Sequence, residues 1–280
     1  MNRETTWEVV KIGEKAETDA YVDWIQSAST GLFTEHGAYL GKLGHSIVYF
    51  CIPKIDWYTV NRVMGFGVFE RAEESMLHDV LKTCREKSVS RIFVPVYPRS
   101  EPDPNVIQSW LQNLGFKPYN TWVKLSRDSS RFEKISQCEF QIRQIGKGDA
   151  KNFAETVIGG FGYPTTFAPW LELLVARAGW HTYLAYSGDR PVASGALFIN
   201  GRTGYLGLGS TRDGFRRRGA QEALIQRRVQ DGIALGCKRF FTETTQDTPQ
   251  NPNPSFHNML RAGFQLEYAR QNYVLKLRKP

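Results

Sequence analysis

The sequence lies over itself when displaced by 148 positions. Arg91-Ile-Phe93 then falls on Arg239-Phe-Phe241, Leu114-Gly-Phe116 on Ala262-Gly-Phe264, and Met76-Leu77 on Leu224-Ile225. Toward the end the displacement becomes 152, which brings Val123-Lys-Leu125 onto Leu275-Lys-Leu277. Short matches that keep one displacement over about forty residues indicate a duplicated unit rather than two unrelated folds. A chain of 280 residues is also about twice the length of one compact domain. Two related domains are therefore expected, residues 1–130 and 131–280.

Hydrophobic residues make up 41% and charged residues 23%, enough apolar material for packed cores and too much for a disordered polymer. Cys51, Cys84, Cys138 and Cys237 show no C-x-x-C spacing, so neither a disulfide framework nor a zinc site is expected. His36, His45, His78, His181 and His257 are scattered without metal-ligand spacing, and no metal is expected. No stretch approaches eighteen uninterrupted apolar residues and the first residues are polar, so neither membrane insertion nor secretion is expected and the cytoplasm fits best. The net charge of +8 is unevenly placed: residues 1–137 hold 17 basic and 17 acidic residues, residues 138–280 hold 19 and 11. An anionic partner should therefore meet the second half.

The segment 127–137 is polar, follows neither regular period and reads as the linker. Before it, 46–52 and 61–69 read as strands, 73–87 as a helix, 91–96 as a strand, a helix through Val106, Trp110 and Leu111 stops at Gly115, and 121–125 reads as a strand. After it the order is β-α-α-β-β-β-α-β-α-β: strand 140–143, helices 150–159 and 167–178, three strands joined by turns at Gly188-Asp-Arg-Pro191 and Asn200-Gly-Arg202, helix 219–235, strand 238–243, helix 254–262 and a strand over 268–277. An antiparallel meander thus leads into a β-α-β unit.

One stretch carries chemistry: Gly207-Leu-Gly-Ser-Thr-Arg-Asp-Gly-Phe-Arg-Arg-Arg-Gly-Ala-Gln-Glu-Ala-Leu-Ile225, a strand that runs into a glycine-containing loop opening a long helix. The first turn of a helix has unpaired N–H groups and the positive end of the macrodipole, so a loop wrapping it can hold phosphate oxygens. Gly219 permits close backbone approach and the arginines supply charge. Neither the Walker pattern nor the dinucleotide fingerprint is present.

This loop resembles that of the GNAT superfamily of acyl-CoA-dependent N-acyltransferases, [Q/R]-x-x-G-x-[G/A], with Arg216 and Gly219 matching and Gln221 standing where Gly or Ala is usual. The order of elements over residues 138–280 resembles the family's as well, down to a helix that ends near Gly263-Phe264. The resemblance implies an α/β (α+β) fold of two GNAT-like domains, each a mixed, largely antiparallel sheet flanked by helices, with acetyl-CoA as cosubstrate. It implies that Leu208, Gly209, Ser210 and Thr211 offer backbone groups to the pantetheine arm and the thioester carbonyl. Arg216, Arg217, Arg218, Gly219, Ala220 and Gln221 would cradle the pyrophosphate, and Asn253 and Ser255 would contact the arm, although Asn253 before Pro254 also suits plain helix capping. The family's usual general acid, a Tyr, corresponds to Met259 here. Tyr205, Tyr268, Tyr273 or water could protonate the thiolate, with Tyr205 retained as the site candidate, and Glu243 at the carboxyl end of a strand is the candidate base.

At the same displacement the first half has Arg71 opposite Gly219, Glu73 opposite Gln221 and Glu70 opposite Arg218, while Gly65-Phe-Gly67 matches Gly207-Leu-Gly209 at 142. About six residues of the loop are missing and carboxylates replace arginines, so the first domain is expected to be a degenerate copy without a phosphate loop. The function expected of the whole is N-acetyl transfer to a primary amine of a small molecule or peptide. The rivals are an idle acyl-CoA-binding regulatory module and a nucleic-acid-associated protein; the chain has no aromatic-interleaved basic stripe to favour the latter.

Overall fold

The computed structural model describes residues 6–55, 57–132 and 138–277. The first half folds as α1 (Trp7–Gln26), α2 (Thr30–His36), β1 (Tyr39–Leu43), β2 (Ile47–Cys51), β3 (Arg62–Met64), α3 (Glu74–Glu86), β4 (Arg91–Val96), α4 (Pro104–Asn113) and β5 (Lys117–Asp128). The second half contributes β6 (Gln141–Gln144), α5 (Ala150–Phe161), α6 (Ala168–Glu172), β7 (Trp180–Ser187), β8 (Arg190–Asn200), β9 (Thr203–Thr211), α7 (Ala220–Ala234), β10 (Arg239–Thr245), α8 (Pro254–Arg261) and β11 (Gln265–Lys276). The α/β class with a largely antiparallel sheet is as expected. The duplication is more regular than the residue matches implied: a displacement of 148 carries α4 onto 252–261 and β5 onto 265–276, the span of β11, so the change to 152 near the end is not followed by the structure.

Local chemistry sets these boundaries. Asp103 caps α4 by accepting from the Asn105 N–H (2.8 Å) ahead of Pro104, and Asn253 does the same for α8 ahead of Pro254. Gly188 and Gly201, both at φ +58°, close the β7–β8 and β8–β9 hairpins with the left-handed backbone those turns require. Two expectations are corrected. The strand expected over 61–69 ends at Met64, because Gly65 (φ +77°) and Gly67 (φ +73°) turn the chain and Val68 donates back to the Gly65 carbonyl. The helix expected over 167–178 shortens to α6, because Leu174 and Val175 donate to carbonyls three residues back and Ala176 takes φ +59°, which no continuing helix allows. Of the expected linker, 127–128 belong to β5 and 133–137 lie outside the described residues.

The chain forms two compact units, and neither is one contiguous segment. The first comprises Met1–Thr18, Ala28–Lys124 and Glu267–Pro280. Its strands run in the order β1-β2-β3-β4-β11-β5, with β11 antiparallel to β4 from Gln271↔Val96 to Lys276↔Arg91. Leu77, Val80, Leu81 and Cys84 of α3 bury against Ile92, Val94 and Val96 of β4 and against Ile107 and Leu111 of α4. A charged cluster is also buried here. Glu14 and Glu17 of α1 meet Arg62, Lys124 and Arg270: Arg270 Nη1 lies 2.5 Å from Glu14 and 2.9 Å from Glu17, Lys124 lies 3.4 Å from Glu14, and Glu17 bonds both Arg62 and Lys124. Tyr268 donates to Glu14 at 2.6 Å.

The second unit comprises Asp19–Ser27 and Leu125–Leu266, with strand order β10-β9-β8-β7-β6. Asp23 at the end of α1 accepts from Arg177 (2.7 and 2.9 Å) and from the Trp180 indole (2.8 Å), and Trp24 donates to the Trp170 carbonyl (2.6 Å). Helix α7 packs on the sheet face that carries Gly195, Leu197 and Phe240, and α5 on the face that carries Ser194 and Ser210. Among the described residues no helix is long and apolar enough to cross a membrane, and no group of three or more His, Cys, Asp or Glu could hold a metal ion.

Candidate functional site

Strands β9 and β10 are parallel and pair from Thr203↔Arg239 to Leu206↔Thr242. The pairing stops there although both strands continue, β9 to Thr211 and β10 to Thr245. At the stop, the Thr242 hydroxyl takes the Leu206 carbonyl (2.9 Å), so a side chain replaces the next rung of the ladder. Glu243 is the first residue of β10 beyond the last pair. It follows Phe241 by two, and Phe241 pairs with Tyr205, so Tyr205 and Glu243 share one sheet face, opposite to that of α7. The two candidates for proton transfer are thereby brought to the same end of the same strand pair. Tyr268 and Tyr273 belong to the first unit, where their hydroxyls donate to Glu14 and to Gln108 (3.3 Å). Met259 is buried in α8.

Just past the last rung, β9 bulges. Ala196 of β8 pairs with Gly207, but Ser194, two residues on, pairs with Ser210, so β9 holds one residue more than its partner. The extra residue takes Leu208 to φ +52°, a left-handed conformation that leucine adopts only under constraint. The bulge is tied on the α5 face by Ser194 Oγ, which donates to the Leu208 carbonyl (3.0 Å) and lies 2.8 Å from Ser210 Oγ, itself bonded to the Thr156 carbonyl (3.1 Å). Leu208, Gly209, Ser210 and Thr211 therefore form a kinked strand end, a feature the residue pattern did not reveal.

The loop 212–219 follows directly. Gly214, Arg217 and Gly219 all have positive φ (+82°, +62° and +81°), which curls the backbone around the start of α7. Gly219 is the N-cap residue and provides no side chain, so no side chain caps the first turn formed by Ala220, Gln221 and Glu222. Such a terminus has donors to offer an anion. The three arginines divide. Arg216 donates to the Thr211 and Gly160 carbonyls (both 3.2 Å) and pairs with Asp213 (3.1 Å). Arg218 forks onto Glu139 (2.6 and 2.5 Å), which raises its pKa and lowers that of Glu139, and it lies over the rings of Phe140 and Phe215. Arg217 is exposed and, among the described residues, bonded to nothing.

Gln221 does not turn toward the loop. Its Nε2 donates to the carbonyls of Ser194 (3.1 Å) and Ser210 (2.6 Å) beneath β8 and β9, and only its backbone faces the terminus where a small residue would stand. Asn253 is occupied in tying α8 to β10: Nδ2 donates to the Thr245 carbonyl (2.6 Å) and Thr244 Oγ1 (2.9 Å), and Oδ1 accepts from Ser255 and Phe256 N–H. Ser255 is half-buried in the first turn of α8.

The first unit lacks this arrangement. Between β3 and α3 the backbone bonds to the segment after β4, Glu101 N–H to the Gly67 carbonyl and Ala72 N–H to the Glu101 carbonyl (both 2.7 Å). Glu70 turns to the β1–β2 hairpin, accepting from the backbone of His45, Ser46 and Ile47. Desolvation acts to raise its pKa, but these bonds outweigh it and hold the carboxyl below its usual range.

Residues 149–241 match the family model of the acetyltransferase (GNAT) domain. No curated protein matches the chain. Among solved structures, a GCN5-related N-acetyltransferase from Sphaerobacter thermophilus superposes with a TM-score of 0.62 at 14% identity, over 85% of this chain and 82% of that one. A tandem GNAT protein from the clavulanic acid biosynthesis pathway gives 0.61 at 12%, over 86% and 83%. A GCN5-related N-acetyltransferase from Kribbella flavida gives 0.60 at 12%, over 87% and 93%. At such identities the likeness is one of fold.

Proposed function

We propose that this chain, which has a GNAT fold and carries a GNAT acetyltransferase domain at residues 149–241, moves an acetyl group from acetyl-CoA to a primary amine of a small molecule or peptide. The observation that carries this reading is the parting of β9 and β10 after Leu206↔Thr242, with a bulge on one lip and an uncapped helix terminus immediately downstream. A thioester arm needs a slot between strands with free backbone groups, and its diphosphate needs an anion site at one end. The residues present fit that group: Gly219 admits close approach, Arg217 is unengaged among the described residues and α7 leaves its first turn uncapped.

In this reading Glu243 takes a proton from the amine, directly or through water. The amine nitrogen attacks the thioester carbonyl carbon, the carbon–sulfur bond breaks, and the departing sulfur receives a proton from the Tyr205 hydroxyl or water. The bulged strand holds the carbonyl in line and offers it backbone N–H groups, so rate comes from orientation and from charge stabilisation rather than a covalent enzyme intermediate. The first unit serves as a supporting domain without a phosphate cradle, and the cytoplasm is the compartment proposed.

Calorimetry with acetyl-CoA, followed by thiol release across a panel of amines, tests the reading. Binding with amine-dependent turnover is the expected result. Binding without turnover would convert the assignment to an idle acyl-CoA module, and no binding would end it. Glu243→Gln should lower kcat about 100-fold, within the range for loss of a general base, and leave the affinity for CoA unchanged.

A further inference from the structure

Arg228 of α7 is completely buried, and among the described residues no carboxylate compensates it. Its Nε donates to the Leu224 carbonyl one turn back (3.0 Å), and its Nη1 is shared between the carbonyls of Ala196 and Gly207 (both 3.1 Å). Its Nη2 is buried with no partner among the described residues. The charged groups nearby are directed elsewhere: Tyr183 donates to Asp231 (2.8 Å), and Asp231 is held by Arg227 (2.9 Å). Burial pulls the Arg228 pKa down to about 10, with Tyr183 opposing, so the guanidinium remains a cation at neutral pH.

The sheet is shaped to receive this group. A Cβ on Gly195 would come within 2.8 Å of Arg228 Cζ and 2.9 Å of Nε, so only glycine lets the guanidinium lie against β8. A Cβ on Gly209 would meet Gln221 Oε1 at 2.9 Å and Arg228 Nη2 at 3.7 Å. The bonds are also ordered about the bulge. Ala196 and Gly207 form the strand pair before it, and both their carbonyls go to Arg228; Ser194 and Ser210 form the pair after it, and both their carbonyls go to Gln221. Residues 221 and 228 lie two turns apart on one face of α7. The bulge is thus held from below at both ends, and the unpaired donor lies under its middle.

We propose that Arg228 is a positioning residue of the acyl-transfer site: with Gln221 it fixes the Leu208–Gly209 bulge, and its uncompensated charge beneath that bulge favours the negative charge that develops on the thioester oxygen above. This rests on the function proposed above. An isolated buried cation is costly unless something offsets it. Here three carbonyl dipoles offset part of that cost, and a further offset arises during the reaction, when the oxygen of the attacked carbonyl takes up charge above a guanidinium that water does not reach.

The test compares the full chain with Arg228→Met, Arg228→Lys and Gln221→Ala, measuring melting temperature, affinity for free CoA, and kcat and KM for thiol release from acetyl-CoA. Free CoA has no thioester carbonyl. Arg228→Met should therefore lose about 100-fold in kcat while its affinity for CoA stays within about twofold. Arg228→Lys keeps the charge but has one nitrogen for two carbonyls, and should lose about tenfold, as a misplacement does; Gln221→Ala should do likewise. A folded Arg228→Met with undiminished kcat would overturn the proposal. So would a loss of CoA affinity in step with kcat, which marks ordinary structural support. If Arg228→Met does not fold, Arg228→Lys at full rate overturns it. An unaltered chain that neither binds nor consumes acetyl-CoA ends the functional reading and this proposal together; one that does both while the variants match it ends this proposal alone.

Discussion

Arg216, Arg217 and Arg218 are adjacent in sequence and chemically alike, yet the fold gives them different tasks. Arg216 secures the loop to Thr211 and Gly160, Arg218 is held by Glu139, and Arg217 projects from a left-handed backbone with its charge uncommitted among the described residues. A charge-assisted hydrogen bond to phosphate contributes on the order of 1.5–3 kcal/mol. Arg217→Ala should accordingly weaken CoA binding at least about tenfold, flatten its salt dependence and leave the melting temperature unchanged. Arg216→Ala should lower both affinity and melting temperature, because it also releases two carbonyl contacts. Titration calorimetry at two salt concentrations beside thermal melts separates the two; equal behaviour of the variants would contradict this division. Gln221 teaches the same lesson. Its type departs from the small residue usual at that place, and only its hydrogen bonds to Ser194 and Ser210 reveal that the side chain serves the sheet and leaves the helix terminus clear.

Among the elements, α7 concentrates the constraints, since one face must pack on β8 and β10 while its first turn remains open. Gly232 lies on that packed face, and a Cβ there would approach Phe240 Cε1 to 2.5 Å and Leu197 Cδ2 to 3.3 Å. Alanine is favoured over glycine in a helix by about 1 kcal/mol, but overpacking a core costs about 1–3 kcal/mol. Gly232→Ala should therefore destabilise the protein, and a rise in the urea midpoint would refute this packing account. Hydrophobic period made α3, α4, α7 and α8 legible, and hairpin glycines did the same for β7, β8 and β9. Helix α6 was legible but its end was not, because the burial of Leu174 and Val175 is satisfied by turns as well as by a helix. The bulge in β9 was illegible for a related reason: Leu208-Gly-Ser-Thr211 alternates no differently from a regular strand, and the extra residue exists only relative to β8.

At the scale of the molecule, the first unit combines an apolar core with buried ionisable groups. Tyr97 and Tyr268 are buried there, and burial together with the nearby Glu14 carboxylate raises both phenols well above the ordinary 10.0. A pKa raised in the folded state leaves stability intact below the unfolded value and removes it as pH climbs beyond, because unfolding releases the proton that the fold retains. Stability should thus hold to about pH 10 and fall steeply above it, with phenolate absorbance appearing in step with unfolding. Tyr268→Phe should make that fall shallower, which urea titrations between neutral and alkaline pH will measure; phenolate appearing well before unfolding would refute it.

The sequence by itself pointed to a repeated pattern along the chain, to helices and strands in a GNAT-like order, and to a glycine- and arginine-bearing loop before a long helix that the first half does not repeat. Those facts are written in period, in glycine and proline placement and in the charge of a short segment, all of which act between near neighbours in the chain. The tertiary structure decided that β11 enters the sheet of the first unit, that β9 and β10 part after one particular pair, and that Arg228 and Gln221 hold the bulge from beneath. These depend on which distant residues face each other across a sheet or under a helix, and hydrogen-bond partners of that kind are chosen by packing rather than by local pattern.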